Sequence, residues 1–291
     1  MTDILEDEFG DIISKGRFGL GLSVPDLAQM AEVPTRHINE FEAYRRHPLE
    51  AESARLARAL HLEPASLWAI ARGRWAPTTI ALDQAGTQIK QIFHPPMRLT
   101  QYVAGDEDTR QALVIDPGAA VDQFLATIFE SHWTAIAILI THADSDHIGV
   151  LEQLNQTLNV PIFVHPTEKT RLSTPSNPNL RTFNHGDLFK IGPFEIEARG
   201  TPGHSPGHTS LVIRDFVMAG DALFAGSLGR TSMGPDHYAN HLATVEAQLL
   251  SLPGSTRLFP GHGPPTTVAE EQIHNPFFAS RIAGLDPNKR K

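Results

Sequence analysis

The chain contains no cysteine among its 291 residues. This absence excludes disulfide bonds, thiolate nucleophiles, cysteine-type zinc fingers and iron–sulfur clusters. Any metal site in this protein must therefore use imidazole nitrogens and carboxylate oxygens. The chain has 15 histidines and 33 aspartates and glutamates, so a metal site of this kind is possible, although the counts alone do not show one.

Positive charge and long apolar runs are also scarce. The 24 lysines and arginines leave a formal net charge of −9, which argues against a protein whose whole surface binds nucleic acid or anionic lipid. The longest purely apolar run in the middle of the chain is Ala135–Ile140, which is far too short to span a bilayer. The acidic beginning of the sequence shows no basic segment followed by an apolar run. We therefore expect a cytoplasmic protein that does not contact a membrane.

Residues 1–76 have the pattern of short helices joined by turns. The apolar residues that would form one stripe on each of two helices are Leu27, Ala28, Ala31, Ile38 and Phe41. Ser23 is placed to cap the first of these helices, with Asp26 three residues further on. Pro34 suits the first turn of the second helix. We therefore predict a small all-α domain over residues 1–76, followed by a second domain over residues 77–291.

The stretch GLSVPDLAQMAEVPTRHINEFEAYRRHP, continued by LARALHLEPASLWAI, resembles the helix-turn-helix of Cro and lambda-type repressors. The resemblance covers most of residues 9–71 and implies that the second helix, at about residues 34–42, enters the major groove of DNA. The residues that would contact bases or phosphates are Arg36, His37, Asn39, Arg45 and Arg46. Nine basic against twelve acidic residues make residues 1–76 acidic, which disfavours DNA binding. The alternative is a helical module that packs on its neighbour or forms a homodimer.

From about residue 78 the pattern changes to apolar runs that end in Gly, Pro or Asp, with helical stretches between them. The runs are Ala112–Ile115, Ala135–Ile140, Pro161–Val164, Phe194–Ala198, Leu211–Ala219 and Arg257–Phe259. Strands that alternate with helices predict a layered α/β arrangement, with sheet buried between helices.

Histidine or aspartate follows four of these apolar runs. In chain order these residues are His142, Asp144, Asp146, His147, His204, Asp221 and His262. Because ligands of open α/β sheets bind beyond the carboxyl ends of the strands, we expect these side chains to lie together. A loop can wrap the segment HADSDH around a pair of ions, with His204 and His262 at opposite ends and Asp221 between them. Nitrogen- and oxygen-rich sites with open positions are typical of catalytic metals.

The order HADSDH, PGH, GD and PGHG resembles the HxHxDH pattern of the metallo-β-lactamase superfamily. The segments TPGHSPGHTS, GDALFAGSLGR and PGHGPPTTVAEEQIHNPF are closer to its glyoxalase II-like members. The resemblance covers about residues 98–280 and implies an αββα sandwich with a dinuclear metal site at one edge. It also implies that a metal-bound hydroxide hydrolyses an ester or thioester of a small molecule, with Asp146 positioning the nucleophile.

Asp144 stands where that family has its second histidine. A carboxylate is a harder ligand than imidazole, so it shifts the metal preference from zinc toward iron or manganese. We therefore predict two divalent ions, either zinc or, at the site containing Asp144, iron or manganese. Two other functions stay open. One is an iron-dependent, persulfide dioxygenase-like oxidoreductase that uses His142, His204 and Asp221. The other is a DNA-binding regulator that senses a ligand through its metal-binding domain.

Overall fold

The computed structural model describes residues 4–84, 86–231 and 234–283. Within these ranges the chain forms twelve α-helices, fifteen β-strands and one 3-10 helix at Pro95–Met97. The helices are α1 (Phe9–Gly19), α2 (Val24–Ala31), α3 (Thr35–Glu42), α4 (Glu50–Ala59), α5 (Pro64–Ala71), α6 (Val121–Glu130), α7 (Ser145–Ile148), α8 (Leu151–Leu158), α9 (Pro166–Lys169), α10 (Pro235–Gln248), α11 (Val268–His274) and α12 (Ala279–Ala283). The strands are β1 (Asp83–Gln84), β2 (Thr87–His94), β3 (Leu99–Asp106), β4 (Gln111–Ile115), β5 (Thr134–Leu139), β6 (Ile162–Val164), β7 (Leu180–Thr182), β8 (Leu188–Ile191), β9 (Phe194–Gly200), β10 (Thr209–Ile213), β11 (Phe216–Gly220), β12 (Leu223–Phe224), β13 (Ser227–Leu228), β14 (Arg257–Pro260) and β15 (Thr266–Thr267). None of the helices in the described ranges combines the length and the apolar composition needed to cross a membrane.

The chain divides into two compact units. The first unit comprises Met1–Thr79, Leu223–Thr256 and Gly263–Lys291, and the second comprises Ile80–Ala222 and Arg257–His262. This division differs from the boundary that the sequence pattern suggests between residues 76 and 77, because two later stretches of chain cluster with the N-terminal helices.

The N-terminal helices of the first unit form around apolar residues at helical spacing. The buried members of the predicted stripe are Leu27, Ala31, Ile38 and Phe41. The predicted cap of α2 is confirmed: the Ser23 hydroxyl accepts from the Asp26 amide at 3.2 Å, and the Asp26 carboxylate accepts from the Ser23 amide at 2.9 Å. Helix α3 begins at Thr35, with Pro34 just before its first turn rather than in it.

Helix α1 is buried within the first unit and also packs against α10. A side chain at Gly19 would collide with the ring of Tyr238, so the two helices approach closely there. Lys15 forms an ion pair with Asp7 and donates a hydrogen bond to the carbonyl of Leu228 at 2.8 Å. These contacts explain why the N-terminal helices share a unit with later parts of the chain.

The second unit contains two sheets packed face to face. The first sheet has the order β1-β2-β3-β4-β5-β6-β7, with parallel pairing from β4 to β7. In the other sheet the strands of this unit run in the order β14-β11-β10-β9-β8. Buried residues of both sheets, such as Leu139 and Phe259, form the core between them. Helices α6 and α8 cover the opposite face of the first sheet through Phe124 and Leu154, which gives a mixed α/β fold consistent with the predicted sandwich.

The predicted apolar runs all form strands, with one difference. The run Leu211–Ala219 is not one strand but an antiparallel pair, β10 and β11, in which Ile213 pairs with Phe216. Arg214 and Asp215 make the turn between them, and Arg214 adopts a φ of 54°. The two polar residues in the middle of this run are the signal for a two-residue hairpin turn.

Candidate metal centre

The loop after β5 places four of the predicted site residues next to each other. His142 and His147 are fully buried, and their ring centroids are 4.1 Å apart. Asp144 immediately precedes the short helix α7, and Asp146 lies in its first turn. The side chains of the two aspartates remain 33% and 31% exposed. The loop therefore presents two buried imidazoles and two carboxylates that solvent can still reach.

Three other loops each bring one ligand-type side chain to the same place. His204 follows β9, Asp221 follows β11 and His262 follows β14. Oδ1 of Asp221 lies 3.2 Å from Nε2 of His147, and its Oδ2 lies 3.6 Å from Nε2 of His204 and 3.6 Å from Nε2 of His262. The Asp221 carboxylate is thus the centre at which the loops from the four strand ends meet.

Three groups of three side chains in the described ranges have the spacing that a metal ion needs. In each group the potential ligand atoms lie within 4.8 Å of one another. The first group is His142, His204 and Asp221, and the second is Asp146, His147 and His262. The third is Asp116 with His142 and His147, and it shares one histidine with each of the other two groups. Six of the seven predicted ligands are therefore brought together in two sets, and the seventh, Asp144, is in neither set. That these residues bind metal stays a prediction.

Asp116 orients both buried histidines and is not among the residues predicted from the sequence. Its Oδ2 accepts from Thr141 Oγ1 at 2.6 Å and lies 3.1 Å from Nδ1 of His147. Because the Thr141 hydroxyl donates to Asp116, it accepts from Nδ1 of His142 at 3.0 Å, which leaves Nε2 of that ring as the lone-pair nitrogen. Asp116 directly follows the apolar run Ala112–Ile115, so the strand-end rule that found the other ligands also points to it.

The remaining nitrogens fit a metal ion. Nε2 of His142 is buried and has no hydrogen-bond partner within the described part of the chain, an arrangement that costs free energy unless a ligand is bound. Nδ1 of His262 donates to the carbonyl of Arg98 at 3.2 Å, so its Nε2 is the nitrogen that faces Asp146 at 3.3 Å. This fold and these candidate ligands imply that the protein binds metal ions.

The charges of the cluster are strongly coupled. Burial, and then the neighbouring His147, lower the pKa of His142 well below its usual value. Burial also opposes a charge on His147, but Asp221 and Asp116 outweigh it and raise the pKa of His147 well above its usual value. Burial favours a neutral Asp221, but His147, His262 and His204 hold the pKa of Asp221 well below its usual range. A metal ion that binds His147 must therefore displace a proton from it.

Asp144 contacts an arginine as well as a histidine of the cluster. Its Oδ1 accepts a hydrogen bond from Nη2 of Arg171 at 2.5 Å, and its Oδ2 lies 3.2 Å from Nε2 of His204. The hydrogen bond from His204, together with Arg171, lowers the pKa of Asp144 to about 2. Asp144 is therefore an ionised carboxylate paired with a guanidinium group.

Glu168 connects two of the loops that carry predicted ligands, and it too is not among the residues predicted from the sequence. Its carboxylate is fully buried. Oε2 accepts from the Ala143 amide at 2.9 Å and from Nη1 of Arg171 at 2.6 Å. Oε1 accepts from the Ser205 hydroxyl at 2.9 Å and from the Gly207 amide at 2.7 Å. Because Ala143 and Ser205 each adjoin a predicted ligand, this one side chain fixes the two loops relative to each other.

A glycine allows the backbone to approach the cluster closely. A Cβ atom on Gly261 would lie 2.4 Å from Cε1 of His147 and 2.5 Å from Oδ1 of Asp221. Since real Cβ contacts are not that short, any side chain at this position would displace one of the two groups. The glycine in the segment PGHG is thus needed for the position of the ligands around it.

The residues predicted to contact DNA lie on α3 or just after it. The exposed ones are Arg36, Asn39 and Arg45. Arg36 forms an ion pair with Glu40 one helical turn away at 2.7 Å. Nδ1 of His37 lies 2.7 Å from the Glu52 carboxylate, and Arg46 lies 3.8 Å from the same carboxylate. Acidic partners thus reduce the positive charge of this surface, and DNA binding by this helix stays a prediction.

A comparison with known protein families identifies the family of most of the second unit. Residues 101–262 match the family model described as the metallo-beta-lactamase superfamily, and this stretch contains every predicted ligand from His142 to His262. The chain therefore belongs to the metallo-beta-lactamase superfamily. Helices α1–α5 precede the matched residues, so their resemblance to a helix-turn-helix stays a prediction.

Two curated relatives are hydrolases by name. The chain is 36% identical over 198 residues to the probable metallo-hydrolase YqgX of Bacillus subtilis, an alignment that covers 62% of this chain and 93% of that protein. It is 32% identical over 193 residues to the hydroxyacylglutathione hydrolase GloC of Haemophilus influenzae, covering 60% of this chain and 91% of that protein.

Two solved structures are similar as well. ETHE1 from Myxococcus xanthus is 30% identical with a TM-score of 0.58, covering 67% of this chain and 84% of that one. TTHA1623 in a di-iron-bound form is 28% identical with a TM-score of 0.50, covering 69% of this chain and 99% of that one.

Proposed function

We propose that this protein is a metal-dependent hydrolase that uses two divalent metal ions to cleave an ester or thioester of a small molecule. The observation that carries this proposal is the pair of three-residue groups that meet at the Asp221 carboxylate. Divalent ions in such a site polarise a carbonyl oxygen and lower the pKa of a water molecule, which makes water a nucleophile at neutral pH.

Each of the two groups would hold one of the two ions. His142, His204 and Asp221 would hold one ion, and Asp146, His147 and His262 would hold the other. Asp116 and the carbonyl of Arg98 hold the outer nitrogens of His147 and His262. Such hydrogen bonds keep each imidazole in the tautomer and orientation that a metal requires.

Asp146 is the residue that we expect to orient the attacking water. Its side chain is 31% exposed, so a water molecule and a substrate can reach it. The neighbouring His262 holds the pKa of Asp146 below its usual value, so the carboxylate is ionised and can accept a hydrogen bond from water. The water oxygen would attack the carbonyl carbon, the acyl bond to oxygen or sulfur would break, and the leaving group would take up a proton.

The preference for an acyl substrate is supported by the relative from Haemophilus influenzae. That protein is named a hydroxyacylglutathione hydrolase, and the alignment covers 91% of its length. Hydroxyacylglutathione is a thioester, so compounds of this kind belong among the first substrates to test.

A second candidate is an iron-dependent oxidoreductase of the persulfide dioxygenase type. The observation that favours it is the first group, because two histidines and one carboxylate with open positions are typical of non-haem iron. Similarity to ETHE1 is compatible with this candidate. It gives no role to the second group, which the hydrolase proposal uses.

The two candidates are separated by assaying metal-loaded protein against a panel of esters and thioesters, including a hydroxyacylglutathione, and against glutathione persulfide with an oxygen electrode. The proposal predicts hydrolysis that a chelator abolishes and added metal restores. It also predicts at least about a hundredfold loss in His142→Ala, while His237→Ala, at an exposed position on α10, keeps full activity. Oxygen consumption with persulfide, and no hydrolysis of any panel member, would refute the hydrolase proposal in favour of the oxidoreductase.

A further inference from the structure

We propose that Asp144 is not a metal ligand but the ion-pair partner of Arg171, which holds this carboxylate beside the first group. The ion bound by His142, His204 and Asp221 would then have three protein ligands. This inference rests on the proposed metal-binding function of the site and deepens it.

The distances within the first group support the inference that Asp144 is not a ligand of the ion bound there. Two protein atoms on one metal ion lie at most about 4.2 Å apart, which is twice a metal–ligand distance of about 2.1 Å. His142, His204 and Asp221 come close to this limit without any movement. Asp144 approaches His204 at 3.2 Å, but it does not join His142 or Asp221 in any group of that spacing. It is therefore next to one ligand and outside the set.

Arg171 explains how Asp144 is kept in this position. Its guanidinium group uses Nη2 for Asp144 and Nη1 for Glu168. Glu168 is fully buried and is fixed by three further hydrogen bonds, from Ala143, Ser205 and Gly207. Because one side of the guanidinium is bound to a group that cannot move, the planar fork sets the position of the carboxylate on its other side.

The chemistry of the carboxylate changes with this pairing. A carboxylate that shares its charge with a guanidinium is a weaker metal ligand than a free one, because the cation competes for the same oxygen lone pairs. A charge placed at residue 144 therefore need not harden the ligand set of the first ion. Its set would be two imidazoles and the Asp221 carboxylate, with coordination positions open to substrate and water.

Removal of Arg171 distinguishes two arrangements: in one, Arg171 holds Asp144 away from the metal ion, and in the other, it orients Asp144 as a metal ligand. If Asp144 were a ligand that Arg171 merely orients, Arg171→Gln would weaken metal binding about 10–100-fold, as losing an orienting partner generally does. If Arg171 holds Asp144 away, the same variant frees a carboxylate next to His204 and tightens metal binding, by about tenfold or more. The two arrangements thus predict changes of opposite sign.

The experiment is a cobalt(II) titration of the metal-free full-length chain, followed by visible absorption in competition with a chelator. We expect Asp144→Asn to keep the affinity within about threefold of wild type and to keep the absorption spectrum, since no ligand is lost. Arg171→Gln should bind more tightly with a changed spectrum, and the double variant should return to wild-type behaviour. His142→Ala serves as the reference for the loss of a true ligand.

A weakening in Asp144→Asn comparable to that in His142→Ala would overturn the inference, and so would weaker binding by Arg171→Gln. Asp144→Asn changes a partly exposed group without changing its shape, so it decides the question even if Arg171→Gln does not fold. Wild-type protein that binds no cobalt would refute the proposed function and this inference together. Normal wild-type binding with a large loss in Asp144→Asn would refute this inference alone.

Discussion

Glutamine in place of Glu168 tests whether one buried carboxylate holds two ligand loops together. Glutamine has the same shape, but one of its two terminal atoms is a donor. With this amide nitrogen toward the Ser205 hydroxyl, which can accept, the amide of Gly207 loses its partner. An unpaired buried amide costs about 1–3 kcal/mol, and a neutral acceptor weakens the bond from Arg171 by about 1 kcal/mol. We therefore expect the free energy of unfolding of this region to fall by about 2–4 kcal/mol.

The assay is native-state hydrogen exchange on peptides that cover residues 141–147 and 204–208. Exchange reports the opening free energy of each loop separately, which suits a chain with two compact units. Glu107→Gln is the matched control, because it removes the same charge from an exposed position of the same unit. If Glu168→Gln left the protection of both loops within about 0.5 kcal/mol of wild type, the role assigned to Glu168 would be wrong.

Three further predictions concern packing and pH. Gly261→Ala should contain at least one metal ion fewer than wild type by elemental analysis, because its Cβ would collide with His147. The control Gly16→Ala, whose Cβ would have its nearest neighbour at 3.5 Å, should bind as much metal as wild type. Equal metal content in the two variants would contradict this prediction. Burial raises the pKa of Glu271 from its ordinary 4.5 to about 7. The folded state thus keeps a proton that the unfolded state releases, so the free energy of unfolding of wild type should fall by about 3 kcal/mol as pH rises through this range. Urea unfolding at pH 5 and pH 8 should show this fall in wild type and not in Glu271→Gln. An equal change with pH in the two proteins would refute the prediction. Metal affinity measured by calorimetry should decrease from pH 8 to pH 6, since a proton on His147 competes with the metal, and a flat profile would contradict that assignment.

The ligand cluster could be predicted from sequence because its information is local. Each predicted ligand lies in the short segment after an apolar run, and the carboxyl ends of strands meet at one edge of a layered fold. Six of the seven residues predicted by this rule lie together in the first and second groups. Asp144 was placed by its position in the HADSDH segment, and that position does not reveal its partner Arg171, 27 residues further along the chain.

The supporting residues were missed because their roles depend on contacts distant in sequence. Asp116 orients His147 from 31 positions away, and Glu168 binds the Gly207 amide from 39 positions away. Asp116 directly follows β4, so the same rule points toward it, whereas Glu168 lies in helix α9. Only the fold shows which groups the two residues contact. Packing of α1 against α10 is a similar case. Helical periodicity identifies the buried face of a helix and does not identify the element that covers it.

We expect that the first and second groups of three side chains each hold one metal ion. It is tested most directly by elemental analysis of the full-length chain, loaded with zinc, iron or manganese and then dialysed against metal-free buffer. We predict two ions per wild-type chain, and one ion in either His204→Ala or His262→Ala, which remove a predicted ligand from the first and the second group, respectively. Wild-type protein with no retained metal, or unchanged metal content in both variants, would contradict it.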